Sequence, residues 1–442
     1  MQRRTFLKAA GATLFLSGLL PRRSARADGD TYSGPVLLTV QAAGGWDPTM
    51  LSDGKTPNAN LQLNYTAPQQ VGAFTVAPIS LAVGSTVLEQ VPQFFTDFGS
   101  RLLVINGVDT QTNSHSIGQK HVWSGKATEQ NPTLAAQFAA AKIAQLKLSA
   151  PYISLGGGGY DANGSVVQVA RLNSTGQLAA IARPNKTGGS TYHDPATYDA
   201  IQAAISARLQ RYGAQASLAS EQESLSALNF ARSGLDGLGS FSDSISAGAV
   251  SIASVFPNLK AFNDGGLTSD LQSAFTALTA FASGVAISAN ISSGGFDTHS
   301  MHDTNHPAAM GRLMATLRYV FQLADQLGLS SRLYVVVGSD FGRTPTYNAG
   351  QGKDHWNVTS MLLAGPGIRG GRVIGGTDDS LRARPLTASD PTKLLAYGDA
   401  SGVVITPEHI HRAFRKTSGI DTSSVASTFP LAVTTPLDDL LS

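Results

Sequence analysis

The sequence predicts an α/β fold in which a largely parallel sheet is covered by helices on both faces. Short runs of aliphatic and β-branched residues recur along the chain, and several end at glycine or at polar residues. Stretches with helical spacing of apolar residues separate several of these runs. The runs are apolar at successive positions, which is typical of parallel strands buried on both faces.

Six of the apolar runs are predicted as strands. The clearest is Leu333-Tyr-Val-Val-Val-Gly338, and the run at 36–41 is followed by Gly44-Gly45, which indicates a buried strand and a sharp loop. The predicted strands are 36–41, 102–107, 153–155, 285–291, 333–338 and 360–365.

Helices are predicted where apolar residues repeat at three- or four-residue spacing. The stretch at 307–327 carries an apolar stripe from Met310 to Phe321, and the stretch at 132–146 starts with a proline, which suits a first helical turn. The predicted helices are 132–146, 195–212, 218–231, 307–327 and 407–416.

The first 27 residues have the features of a twin-arginine export signal. Arg3-Arg4 precedes Thr-Phe-Leu-Lys, an apolar run follows over 9–20, and Ala25-Arg-Ala27 is a typical cleavage site. The apolar run is too short to cross a hydrocarbon core of roughly 30 Å. We therefore expect recognition by the twin-arginine export machinery, cleavage before Asp28, and a periplasmic or secreted mature protein without a membrane span.

The mature chain, residues 28–442, is predicted as one α/β domain with a mostly helical insertion at about 163–271, where Ala, Ser, Gln and Leu dominate. Without the six basic residues of the signal it has 26 Lys and Arg against 30 Asp and Glu, a formal charge of −4. Nucleic acid is therefore not expected as a partner. The chain has no cysteine, so any metal must be bound by oxygen and imidazole ligands.

Ionisable residues concentrate after the predicted strands, where binding sites of open parallel sheets lie. The residues at these positions are Asp47, Thr112, Ser114, His115, Asp297, His299, His302, His306, Asp340, Arg343, Asp354 and His355. Carboxylates mixed with imidazoles suit divalent zinc, manganese, iron, magnesium or calcium. Several of each would suit a two-metal hydrolytic site.

Simpler roles remain open for these residues. Asp340 suits a helix cap, and Asp47 suits a turn before Pro48. Arg343 suits either a clamp on phosphate or sulfate or a pair with a structural carboxylate. His302 and His306, four residues apart, suit either one shared helix face or a solvent-facing helix start.

The motifs also occur in a characteristic order. After the twin-arginine start come Gly44-Gly-Trp-Asp47, Ser114-His115, Gly294-Gly-Phe-Asp-Thr-His299, Ser339-Asp-Phe-Gly-Arg-Thr-Pro345 and Gly352-Lys-Asp-His355. In this order the chain resembles the exported proteins of domain-of-unknown-function family 1501, which is placed in the alkaline phosphatase and sulfatase superfamily. The resemblance spans nearly the whole mature chain apart from its helical middle, and it implies an alkaline phosphatase-like fold.

The resemblance also implies roles for individual residues. The implied ligands of one or more divalent metals are Asp47, Asp297, His299, Asp340 and His355. The implied nucleophile is Ser114, with Thr112 as the next choice, and Arg343 would stabilise charge on the reacting group. Hydrolases of the superfamily often carry an Asp-His pair where this chain has Asp340-Phe341, so one imidazole is missing from its usual place.

Three functions are compatible with the sequence. The first is a metal-dependent hydrolase of phosphate or sulfate esters, acting on a small-molecule or polymer substrate. The second is a non-catalytic secreted binding or assembly protein that retains the fold. The third is a single-metal isomerase or transferase. Convergence of the implied ligands within about 5 Å of one point would favour a metal centre, because metal–ligand bonds measure roughly 2.0–2.6 Å.

Overall fold

The computed structural model describes residues 32–143 and 250–442 without interruption. Between these segments it describes residues 148, 150–155, 166–167, 169–172, 183–187, 190–218, 221–222, 225, 241 and 245. The predicted signal peptide and most of the predicted helix at 218–231 lie outside the described residues.

Eight described strands form the central sheet. They are β1 (Val36–Ala42), β2 (Leu103–Asp109), β3 (Tyr152–Leu155), β4 (Val169–Leu172), β5 (Ser288–Ser293), β6 (Leu333–Ser339), β7 (Val358–Ala364) and β8 (Arg372–Gly375). Their order across the sheet is β8-β2-β7-β6-β1-β5-β3-β4. Every residue of β1, β6 and β7 is buried, as the unbroken apolar runs predict for strands in the middle of a covered sheet.

Only β7 runs against the other described strands of this sheet. It pairs antiparallel with both β6 and β2, whereas the remaining neighbours are parallel. Residues 340–357 connect β6 to β7 through a small antiparallel ladder of Gly342–Arg343 with His355–Trp356. If β7 were parallel to β6, the chain would need a crossover connection, which is usually a helix. The described residues 340–357 contain no helix. The amino end of β7 therefore lies at the same edge as the carboxyl ends of β1, β2, β5 and β6.

Helices cover both faces of the sheet. They are α1 (Val91–Phe98), α2 (His115–Ser124), α3 (Leu134–Ile143), α4 (Pro195–Gln215), α5 (Gly265–Ala282), α6 (His302–Gln326) and α7 (Pro407–Thr417). The two ends of β5 show the two faces: Ser288 Oγ donates to the Ala135 carbonyl of α3, and Ser293 Oγ donates to Asp270 of α5. Helix α6 packs against α5, and α1 contacts α6, whereas α2 and α7 lie on the side of α3.

Smaller elements complete the described chain. Two-stranded ladders join 69–71 with 74–76, 80–83 with 86–90, 186–187 with 190–191, and 386–387 with 390–394. Short helices span 252–255 and 424–428, and 3₁₀ turns span 48–50, 99–101 and 257–259. No helix among the described residues is long and apolar enough to cross a membrane.

The predicted fold class is confirmed, with differences in detail. The strand predicted at 285–291 lies at 288–293, and the helix predicted from Pro307 begins at His302. Proline removes only one hydrogen bond near the start of a helix, so the earlier start is tolerated. Helices α1, α2 and α5 and strands β4 and β8 were not predicted. Strand β4 and helix α4 both lie within the predicted insertion, and the division into one domain with an insertion stays a prediction.

Replacing Asp270 by asparagine tests the burial of this carboxyl group. Burial raises the pKa of Asp270 to about 7 despite the hydrogen bond from Ser293. An unfolded Asp ionises near pH 4, so this residue lowers stability progressively as pH rises from about 4 to 7. The unfolding free energy of Asp270→Asn minus that of the wild type should therefore increase by on the order of 4 kcal/mol between pH 4 and pH 7. Denaturant unfolding at pH 4 to 8 measures this, and a difference that is constant with pH would contradict it.

Candidate metal centre

The carboxyl edge of the sheet brings together loops that are distant in sequence. The loops after β1, β2, β5 and β6 all leave the sheet here because these strands run in the same direction. The segment before β7 enters from the same edge because β7 runs the other way. The loop after β6 and the segment before β7 are the same connection, residues 340–357, so four segments carry all of the predicted site residues.

Four side chains from three of these segments meet above the edge. A nitrogen of His115, a nitrogen of His355 and an oxygen of Asp297 lie within 4.8 Å of one another. His299 Nε2 lies 3.0 Å from Asp297 Oδ1 and 2.9 Å from His355 Nε2. His355 Nε2 lies 3.2 Å from Asp297 Oδ1, and His115 Nε2 lies 3.5 Å from Asp297 Oδ2. We call these four residues the donor cluster.

Each histidine of the donor cluster is anchored through its other ring nitrogen. The Nδ1 contacts are His115 to Asp340 Oδ2 at 2.7 Å, His299 to Asp354 Oδ1 at 3.0 Å, and His355 to the Asn113 carbonyl oxygen at 2.8 Å. All three partners are oxygen acceptors, so each Nδ1 carries a proton and donates it. In the neutral rings, each Nε2 then directs a lone pair into the cluster.

This set of atoms fits a divalent metal ion. Imidazole nitrogen and carboxylate oxygen are ligands that zinc and similar metals bind in proteins. Metal-bound histidines usually donate their second N–H to a carboxylate or a backbone carbonyl, which is the pattern found here. Without a cation or additional protons, lone pairs of His299, His355 and Asp297 would face one another at about 3 Å.

Arg343 holds Asp297 from the buried side of the cluster. Its Nη2 donates to Asp297 Oδ1 at 2.7 Å, and its side chain is fully buried. The other groups that it contacts are the backbone carbonyls of Gly45 at 2.8 Å, Lys353 at 2.9 Å and Gly44. Burial raises the pKa of Asp297, but the contacts with Arg343 and His355 outweigh it and lower the value to about 2. In the structure Arg343 supports Asp297, and of the two roles that the sequence left open this contact matches the pair with a carboxylate.

Asp340 lies behind His115 and outside the donor cluster. It is fully buried at the end of β6, and its Oδ2 accepts from the Gly44 backbone N–H at 3.2 Å and from Gln119 Nε2 at 3.3 Å. Its Oδ1 accepts a hydrogen bond from Gln41 Nε2. The hydrogen bond with Asp340 raises the pKa of His115, against the effect of burial. The sequence predicted Asp340 as a metal ligand, and its carboxylate orients a histidine of the cluster.

Asp47 also lies outside the donor cluster, in a buried ion pair. Its Oδ2 lies 2.8 Å from Lys353 Nζ and 3.1 Å from His302 Nε2. Its Oδ1 accepts from the backbone N–H of Thr49 at 2.9 Å and from the Thr49 hydroxyl at 2.6 Å. Burial raises the pKa of Asp47, but Lys353 and His302 reverse this and hold it well below its ordinary value. Both oxygens of this predicted ligand are occupied by donors of the protein.

The two predicted nucleophiles precede α2. Ser114 is the N-cap residue, and its hydroxyl lies 3.3 Å from Ser116 Oγ without capping the described helix. Thr112 Oγ1 accepts a hydrogen bond from the Ser114 backbone N–H at 3.1 Å. Ser114 is half-buried and directly precedes His115 of the donor cluster.

Backbone strain concentrates in the segments that carry the donor cluster. Gln111, Met301 and Gln351 adopt positive φ angles of 58°, 48° and 58°. Such angles cost a residue other than glycine roughly 1–2 kcal/mol and persist where the surroundings hold them, often at functional sites. Gly352 adds a close contact, since a Cβ at this position would overlap the backbone of His299.

Sequence reasoning missed some of the groups that complete this arrangement. His115 was expected at this edge of the sheet but was not predicted as a ligand, and Asp354 and the Asn113 carbonyl were not predicted as anchors. The partner of His115, Asp340, lies 225 positions further along the chain. No local pattern shows which ring nitrogen of His115 would face Asp340 and which would face Asp297.

Replacing Lys353 by methionine tests the buried ion pair. The substitution leaves the Asp47 carboxylate buried without its cation, and we expect a loss of about 3–5 kcal/mol of unfolding free energy at pH 7. The double variant Asp47→Asn/Lys353→Met should recover part of this loss, because no isolated charge remains. Denaturant unfolding measures both values. A loss below about 1 kcal/mol in the single variant, as for an exposed pair, would contradict the assignment.

Several solved structures of low sequence identity are similar to this chain. A candidate sulfatase from Bacteroides thetaiotaomicron is 9% identical, with a TM-score of 0.41 and coverage of 92% of this chain and 75% of that chain. The lipoteichoic acid synthase LtaP from Listeria monocytogenes is 9% identical, with a TM-score of 0.40 and coverage of 93% and 76%. A mutant of TAB5 alkaline phosphatase is 8% identical, with a TM-score of 0.31 and coverage of 77% and 93%. No curated protein matches the sequence.

One family model matches most of the chain. It describes a protein of unknown function, DUF1501, and it matches residues 40–396. This span contains the whole donor cluster and the buried ion pair of Asp47 and Lys353. The family resemblance predicted from the order of the motifs is confirmed, and the chain belongs to the DUF1501 family.

Proposed function

We propose that this protein is an exported, metal-dependent hydrolase of phosphate or sulfate esters. The observation that carries the proposal is the common arrangement of three histidines, each donating from Nδ1 to an oxygen of the protein and directing Nε2 toward Asp297. We assign His115, Asp297, His299 and His355 as the ligands of one divalent ion. The twin-arginine sequence at the start of the chain supports export to the periplasm.

The composition of the donor cluster favours zinc among the metals that the sequence allows. Magnesium and calcium prefer sites made largely of oxygen ligands, whereas imidazole suits zinc and other transition metals. Three imidazoles with one carboxylate therefore point away from magnesium and calcium, with manganese as the less favoured choice. When bound, such an ion lowers the pKa of a coordinated hydroxyl group or water and stabilises negative charge on an ester oxygen.

Ser114 is the proposed nucleophile, with Thr112 as the alternative. The Ser114 hydroxyl is half-buried, precedes His115 and is not used to cap α2. The N-terminus of α2 also presents backbone N–H groups that favour an anionic group such as phosphate or sulfate. An ester whose anionic group lies at this helix end would place phosphorus or sulfur next to both the hydroxyl and the donor cluster.

Two charged residues of the protein, Arg343 and Asp340, hold the proposed ligands in place. Arg343 compensates the charge of Asp297 from within the fold, so Asp297 remains ionised over the physiological pH range. Asp340 fixes the ring of His115 and keeps its Nδ1 as a donor. Neither residue needs to contact the substrate in this arrangement, and we propose that both act by holding ligands in place.

One observation favours the alternative of a non-catalytic secreted binding or assembly protein. The guanidinium of Arg343 is buried and donates to Asp297 and to backbone carbonyls, which supports a structural role over contact with a substrate oxygen. A protein of this kind would retain the metal centre for structure or for binding of an anionic ligand. Activity measured on a zinc-loaded sample separates the two functions.

Metal analysis of purified mature protein tests the proposed ligands. We expect one zinc ion per chain after loading and buffer exchange, and loss of that zinc in His115→Ala and His355→Ala, because each variant removes a ligand. His193→Ala is the matched control, since His193 is an exposed histidine whose described backbone contacts lie at Asn185. Full zinc content in both cluster variants would contradict the assignment.

Turnover of an aryl phosphate and an aryl sulfate tests the proposed reaction. Ser114→Ala should retain zinc but lower kcat by roughly 10³-fold or more, because the variant keeps the ligands and loses the nucleophile. Thr112→Ala tests the alternative nucleophile, and a loss of turnover in this variant but not in Ser114→Ala would move the assignment to Thr112. Wild-type protein that holds zinc and hydrolyses neither class of ester would favour the binding protein instead.

A further inference from the structure

A buried polar network lies next to the donor cluster, and the proposed chemistry does not use it. Its side chains are Asp47, Thr298, His302, His306 and Lys353, all of them at most 4% exposed. They come from the loop after β1, the loop after β5, the first turns of α6 and the segment before β7. Buried polar groups of this kind are costly unless each is paired, so a retained network needs a reason.

The hydrogen bonds of this network define a single arrangement of protons. The backbone N–H of Asp47 donates to His306 Nε2 at 2.8 Å, so His306 carries its proton on Nδ1 and donates to Thr298 Oγ1 at 3.0 Å. The Thr298 hydroxyl donates to His302 Nδ1 at 2.7 Å. His302 then carries its proton on Nε2 and donates to Asp47 Oδ2 at 3.1 Å. Burial lowers the pKa of both histidines, which keeps both rings neutral.

Two members of the network are close in sequence to proposed ligands. Thr298 lies between Asp297 and His299, and Lys353 lies two residues before His355. The Lys353 backbone N–H donates to the Thr298 carbonyl at 3.1 Å, which joins the two ligand-bearing segments directly. The Lys353 ammonium is the last member of the network and donates to Asp47 Oδ2 at 2.8 Å.

We propose that Thr298 is a positioning residue, whose hydroxyl, held between His302 and His306, fixes Asp297 and His299 for metal binding. The inference rests on the proposed metal centre. Thr298 Oγ1 connects two neutral rings on α6, so the backbone between the two ligands cannot rotate without breaking both hydrogen bonds. Outer groups that orient metal ligands commonly change metal affinity by about 10–100-fold when they are removed.

Zinc affinity of Thr298→Val tests the proposal. Valine keeps the shape of threonine and removes the hydroxyl, so we expect zinc affinity to fall by about 10–100-fold in a chelator competition assay. Thr298→Ser retains the hydroxyl and should bind zinc nearly as tightly as the wild type. Thr276→Val is the matched control, because Thr276 is a buried threonine of α5 whose hydroxyl donates to the Gln272 carbonyl. This control should leave zinc affinity unchanged.

The possible outcomes separate this inference from the proposed function. If the wild type binds zinc and Thr298→Val binds it equally tightly, the positioning role is overturned and the metal centre stands. If the wild type itself binds no zinc, both are overturned. If Thr298→Val does not fold, ¹⁵N NMR of the metal-free wild type decides. The expected tautomers are Nε2–H for His302 and Nδ1–H for His306, and the reverse tautomer at either ring would contradict the network.

Discussion

The hydrogen bonds at Nδ1 of His115, His299 and His355 are the interactions on which the site depends. A hydrogen bond at one ring nitrogen fixes both the tautomer and the orientation of an imidazole. Here the acceptors are Asp340, Asp354 and the carbonyl of Asn113. Each acceptor lies on a different segment of the chain from the histidine that donates to it. The three contacts therefore set ring orientation and connect the loops at the carboxyl edge of the sheet. The convergence of the Nε2 atoms on Asp297 follows from these anchors.

The direction of β7 is the constraint that makes this convergence possible. Because β7 is antiparallel to β6, residues 340–357 turn back within the carboxyl edge of the sheet. A helical crossover would have carried the chain to the opposite edge, and His355 and Asp354 would have been lost from the site. The same turn brings Lys353 against Asp47 and Arg343 against Asp297. A single reversal thus supplies the proposed ligand His355, the carboxylates that anchor His115 and His299, and the buried cations Arg343 and Lys353.

The sequence contained enough to predict the sheet, because its central strands are buried on both faces and are therefore apolar at successive positions. Asp297 and His299 were expected at this edge by similar reasoning, since residues after parallel strands gather at one edge, whereas the position of His355 depends on the direction of β7. The direction of β7 was not predictable from its own residues, because an apolar strand has the same composition in either direction. The pairing of Asp47 with Lys353, separated by 306 positions, and the burial of Arg343 depend on that direction. His302 and His306 became buried because α6 starts five residues before the predicted proline.

A crystal structure of the zinc-loaded mature protein, with anomalous scattering recorded at the zinc edge, tests the central claim most directly. The predicted result is one anomalous peak about 2.0–2.1 Å from the Nε2 atoms of His115, His299 and His355 and about 2.0–2.2 Å from an oxygen of Asp297. Asp340, Asp354 and the Asn113 carbonyl should still accept from the three Nδ1 atoms. A peak bound through Nδ1, a peak on Asp47 or Asp340, or no peak at this edge of the sheet would contradict the claim.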